Sequence, residues 1–175
     1  MTDTVRREGA GLMASCSETQ TSEVTNVGIG QIVVADAPAQ LRSVLGSCVG
    51  VVLYNPRRRV GAVAHIVLSD STGRKGHPGR YADTAIPEAL RLMEGYDAHP
   101  GGVIARIVGG ASMFGGDGPV RIGDANVEAA EKALRRANIS IKARHVGESH
   151  GRRVALDCDT GDLTVEVVGA APVNL

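Results

Sequence analysis

Tryptophan is absent from this 175-residue chain, phenylalanine occurs once and tyrosine three times. Four aromatic rings are too few for the stacking platforms that hold single-stranded nucleic acid. A basic surplus is missing too: nineteen Lys and Arg meet nineteen Asp and Glu. A grip on phosphate backbones needs that surplus, so nucleic acid is not an expected partner. No uncharged apolar run reaches the roughly 18 residues of a membrane helix. The longest stretches, Ser43–Pro56 and Val60–Ser69, are short and strand-like, and no membrane insertion is expected. The three cysteines, Cys16, Cys48 and Cys158, form no CxxC pair, and there is no HExxH. Neither a disulfide framework nor a metal site is expected, no cofactor is called for, and free thiols suit a cytoplasmic protein. The Gly-rich GGASMFGGDG lacks the GK[ST] of a phosphate loop.

Glycine, by contrast, is plentiful at 23 residues, and the apolar residues are mostly Val, Ile, Leu and Ala. A core of small aliphatic side chains with many tight turns follows. The length fits one domain. Residues 1–25 are polar and aperiodic and are expected to form a disordered tail, with the domain at 26–175. Arg6 and Arg7 precede a short stretch, Leu12–Cys16, too brief for a signal peptide.

Strand-like runs are Val27–Val34, Leu41–Leu45, Val49–Tyr54, Val60–Leu68, Val103–Val108, Ile139–Arg144, Arg152–Asp157 and Leu163–Val168. Ala82, Ala85, Ile86, Ala89, Leu90 and Met93 recur at helical spacing, with Asp83 as the expected cap and Gly95 as the stop. A second helix is expected over Asp124–Ala137, with Asn138 at its C-cap. The predicted class is α+β: a layered, mixed-sheet core, sandwich-like, flanked by two main helices.

Val49–Tyr54 and Val60–Leu68 read as a hairpin. With Asn55–Arg58 as its turn, Tyr54 pairs with Arg59 and Cys48 lies opposite His65. Opposed residues share a face, with Cβ atoms about 4.5–5.5 Å apart. A five-residue loop would make the contact diagonal. An imidazolium beside a thiol stabilises the thiolate nucleophile, and the same ring can protonate a leaving amine and activate water. Gly46, Ser47 and Gly50 allow close approach of a substrate, and nearby N–H groups can hold an oxyanion. Two other readings of the pair stay open here: a core Cys and His, or ligands of a metal-bearing β domain.

LGSCVGVVLYNP, VGAVAHIVL, GRYADTAI, IVGGASMF, IGDANV and GRRVALDCDTGDLTV occur in this order. Together they resemble the chemoreceptor glutamine deamidase family, CheD, from Val27 to Val168. The resemblance implies a cysteine-hydrolase scaffold, cytoplasmic, that converts glutamines of methyl-accepting chemotaxis receptors to glutamate through a thioester. It implies Cys48 as nucleophile, His65 as acid and base, and a CheC-type phosphatase as a further partner. The family orients its His with a Thr six residues before the Cys. Arg42 stands at that position, and the adjacent Ser43 is the candidate third catalytic residue, replacing the hydroxyl if the strand shifts, since parity puts it on the opposite face of an unbroken strand. A weakened, receptor- or phosphatase-binding adaptor is the alternative this departure suggests. Specificity is expected from the loops Ser69–Tyr81 and Gly109–Gly116, with Tyr81, Gly109 and Gly110 against the substrate.

Overall fold

The computed structural model describes residues 22–112 and 122–175. The expected tail thus lies outside the described residues up to residue 21. So do Cys16 and the Met113–Gly118 part of the second Gly-rich loop. Ten strands follow in order: β1 Val24–Asn26, β2 Ile32–Asp36, β3 Gln40–Leu45, β4 Val49–Asn55, β5 Val60–Ile66, β6 Ile104–Gly109, β7 Ser140–Val146, β8 Arg152–Asp157, β9 Leu163–Val167 and β10 Val173–Asn174. Two helices, α1 Ala82–Glu94 and α2 Ile122–Arg136, flank β6 in sequence.

The class is α+β. One mixed sheet runs β2-β5-β4-β6-β7, and a second runs β1-β3-β8-β9-β10. β6 and β7 are parallel, joined through α2 as a crossover must be. β4 and β5 are buried along their whole length, so alternation sends side chains to two cores. Val49, Val51, Leu53, Ala62, Ala64 and Ile66 face α1 and α2. Val52, Val63 and Val108 face the other way, against Leu41, Leu45, Val154, Leu156 and Leu163 of the second sheet. One sheet thus lies between a helical layer and a second sheet.

The apolar stripe of α1 is buried as its spacing requires. Asp83 does not cap the helix; its carboxylate accepts from the N–H and hydroxyl of Ser71 and so ties the preceding loop to α1. Asn138 ends α2 with φ 58°, the left-handed conformation expected of a C-cap. The run at 27–34 is not one strand. Gly30, at φ 72°, breaks it, and residues 27–31 form a loop between β1 and β2.

Candidate active site

The hairpin forms, in a register two residues away from the expected one. Asn55 pairs with Val60 and Gly50 with His65. The cause is the Asn55 side chain. Its Oδ1 accepts from the N–H groups of Arg57 (3.1 Å) and Arg58 (3.2 Å), closing the turn over residues 56–59 and keeping Asn55 inside the ladder. Cys48 therefore does not sit opposite His65. Cys48 lies in the bend just before β4, outside the ladder with β5, whose first pair is Val49 with Ile66, one step along from the Gly50–His65 pair. No hydrogen bond joins Cys48 and His65. Gly50, directly across from His65, has no side chain, and a Cβ there would press on Leu45 at 2.6 Å.

His65 is buried, and its surroundings define its state. Ser43 Oγ donates to the carbonyl of Val27 at 2.8 Å and stands 3.0 Å from His65 Nδ1. Nδ1 is also 3.5 Å from that carbonyl. A hydroxyl has one proton, and a carbonyl can only accept. With the Ser43 proton on Val27, Nδ1 must carry its own and give it to Ser43 Oγ. The other nitrogen, Nε2, then holds a lone pair. It is buried and has no hydrogen-bond partner among the described residues. Burial holds the imidazole below its ordinary pKa of 6.5, partly offset by the Val27 contact. Burial likewise raises the half-buried Cys48 thiol. Both shifts favour the uncharged forms, thiol and neutral ring, where the expected pairing of Cys48 with His65 pointed to imidazolium and thiolate.

Ser43, not Arg42, occupies the inward slot. Leu41, Ser43 and Leu45 are buried on β3, whereas Arg42 and Val44 are exposed. The expectation of Ser43 on the opposite face is corrected by this pattern.

Glycines hold the Cys48 segment from behind. The N–H of Gly110 donates to the Cys48 carbonyl at 2.8 Å, and Ala111 N–H to the Gly46 carbonyl at 2.9 Å. Gly109 has φ 102°, and a Cβ there would collide with the Cys48 carbonyl. Gly109 and Gly110 therefore shape the cysteine loop from its carbonyl side. The N–H groups of Gly46, Ser47 and Cys48 have no acceptor among the described residues. Tyr81 is buried at the start of α1, and the backbone beside it bonds to Leu68 and the first helical turn, not to the Cys48 segment. Asn126 of α2, also buried, donates to the carbonyl of Val67 at 2.8 Å and fixes the chain just past His65.

A groove of about 840 Å³ reaches His65 and Ser43 along Asn26, Val27, Arg42 and Val154, but Cys48 is not in its wall. No group of three His, Cys, Asp or Glu able to hold a metal occurs among the described residues. No helix among them is long and apolar enough to cross a membrane.

Sequence reasoning missed Arg152, whose side chain is fully buried beside this segment. Alternation in β8 was the available signal: Arg152 shares the inward face of Val154 and Leu156.

The family model described as CheD chemotactic sensory transduction matches residues 67–167. That span begins just after His65 and includes neither His65 nor Cys48. The probable chemoreceptor glutamine deamidase CheD of Symbiobacterium thermophilum is 40% identical over 82% of this chain and 92% of its own. The chemoreceptor glutamine deamidases CheD of Thermotoga maritima and Halalkalibacterium halodurans are each 40% identical, over 82% and 84% of this chain and 91% and 95% of theirs. Among solved structures, Bacillus licheniformis YfiH has a TM-score of 0.45 at 15% identity, over 71% of this chain and 61% of that one. The chain belongs to the CheD family.

Proposed function

We propose that this protein is a protein-glutamine deamidase acting on methyl-accepting chemotaxis receptors, on a layered cysteine-hydrolase scaffold in the cytoplasm. The observation that carries the reading is the bare, buried Nε2 of His65, oriented by Ser43, on a strand paired with β4, which begins directly after Cys48. An unpartnered buried polar atom has a cost, and a base awaiting its proton accounts for it.

Substrate binding brings Sγ and Nε2 into reach, since catalytic hydrogen bonds commonly tighten only in the substrate complex. Nε2 takes the thiol proton as Sγ attacks the carboxamide carbon of glutamine. The N–H groups of Gly46, Ser47 and Cys48 receive the oxyanion. Collapse breaks the C–N bond, and the proton on Nε2 leaves with ammonia. Nε2 then takes a proton from water, whose oxygen attacks the thioester; the C–S bond breaks, glutamate leaves, and Sγ recovers the proton from Nε2. The loop Ser69–Tyr81 and the stretch after Gly109 contact the receptor. A CheC-type phosphatase as a second partner rests on family resemblance alone, and a pull-down from a host that has one tests it.

Purified protein and receptor cytoplasmic fragments, followed by peptide mass measurement, test the activity. A gain of about one dalton per converted glutamine is expected with wild type and not with Cys48→Ala. Equal gain in both would remove Cys48 as nucleophile. Receptor binding without any gain in wild type would favour the adaptor reading that Arg42 first suggested.

A further inference from the structure

Arg152 is a charged side chain with no exposed surface. Burying a guanidinium on the inward face of β8, in register with Leu45, is unfavourable unless its donors are met. Here they are met by one compact set of acceptors. Nε donates to His145 Nδ1 at 2.7 Å. One terminal nitrogen donates to the carbonyl of Gly147 at 2.9 Å and to Glu148 Oε2 at 3.3 Å. The other reaches the carbonyls of Gly109 and His150, each at 3.4 Å. The only counter-charge among these, Glu148, is 65% exposed. The arrangement thus binds two backbone segments together more than it pairs two charges.

Those segments converge on the cysteine. The Gly147 N–H donates to Gly109, and the Ser112 N–H to Glu148, so the 147–148 turn is laced to residues 109–112. Gly110 and Ala111, within that stretch, hold the carbonyls of Cys48 and Gly46. From the other side, Arg152 pairs in register with Leu45, the residue before Gly46. The guanidinium is therefore one bonded layer behind the Cys48 segment, and the rigid fork of an arginine suits it to several fixed carbonyls at once.

We propose that Arg152 is a positioning residue for the Cys48 thiol: it locks the 145–150 turn onto Gly109 and so fixes the segment that presents Cys48 to His65. This rests on the Cys48–His65 reading above. Lysine keeps the charge and loses the fork, so Arg152→Lys is the informative variant.

The test is a double-mutant cycle on the alkylation rate of Cys48 by iodoacetamide, whose primary carboxamide stands in for the glutamine side chain and so draws Sγ and Nε2 together, at neutral pH, read by peptide mass, in the folded protein. In a wild-type background, His65→Ala is expected to slow alkylation about tenfold by removing the base. In an Arg152→Lys background the same His65→Ala change is expected to matter less than about twofold, because the thiol no longer meets the ring. The kcat of Arg152→Lys on receptor fragments is expected to fall at least about tenfold with KM within about twofold. A simple loss of stability would leave the His65 effect intact in the folded fraction. An Arg152→Lys protein that keeps the full His65 effect overturns the proposal and leaves the dyad standing. A wild type in which His65→Ala changes nothing overturns the dyad, and this proposal with it. Should Arg152→Lys fail to fold, His145→Ala removes one acceptor and is expected to shrink the His65 effect at least about twofold; an unchanged effect there overturns the proposal.

Discussion

Ser43 has one proton, and the Val27 carbonyl takes it, which leaves Ser43 Oγ to accept from His65 Nδ1. Removing the hydroxyl in Ser43→Ala frees the ring to turn and leaves Nδ1 without its nearest partner. A fall in kcat of about 10- to 100-fold is expected, with KM little changed. Stability should drop by about 1–2 kcal/mol in chemical denaturation. Ser43→Thr, which keeps the hydroxyl, should retain most of the turnover. The pH profile follows from the same surroundings. His65 lies below its ordinary 6.5 and Cys48 above its ordinary 9.0. The proposed turnover needs the neutral ring, so kcat/KM should rise with pH along a limb centred below 6.5 and stay level through neutral pH. Folding is linked to the same shift. Below 6.5 the unfolded chain binds a proton at this imidazole that the folded chain resists. Stability should therefore fall as pH drops from 6.5 toward the folded value, and less steeply in His65→Asn. Urea midpoints across that range check the sign.

Among the elements, the β4–β5 hairpin carries the most consequence, and small residues let it lie close to the second sheet. A Cβ at Gly61 would meet Leu156 Cδ2 at 2.5 Å and Cys158 Sγ at 2.9 Å. Gly61→Ala should cost about 1–3 kcal/mol by overpacking, measured as a lower denaturation midpoint. The hairpin also shows where the sequence was legible and where it was not. Two apolar runs around Asn55-Pro56 announced the pair of strands, and the α1 stripe announced its buried face. Register depends on the side chain of Asn55 bonding to the turn, which hydrophobic pattern does not encode. The face of Ser43 was readable from Leu41 and Leu45, inward on either side of it, but not by counting back from the cysteine. The β10 strand, two residues long, and the loop at Gly28–Gln31 carry too little pattern to be seen. Arg152 was hidden because an arginine in an inward slot becomes intelligible only when its carbonyl partners, distant in sequence, are in place.

Across the whole molecule, the two described cysteines sit in opposite circumstances. Cys158 is buried in the core between the sheets, and its thiol is pushed up to about 11, chiefly by burial. Cys48 lies half-buried on a loop between β3 and β4. Native alkylation should modify Cys48 and spare Cys158 until denaturant is added, as peptide mapping would show. The packing makes this contrast: helices cover one face of the central sheet, the second sheet covers the other, and Cys48 lies where the chain passes from β3 in one sheet to β4 in the other. Everything proposed for turnover depends on which nitrogen of His65 is bare. Nitrogen NMR of the labelled protein at neutral pH reads that directly. The expected spectrum has a protonated Nδ1 and an unprotonated Nε2 at His65. A proton on Nε2 with Nδ1 bare, or an imidazolium at that pH, would contradict the arrangement.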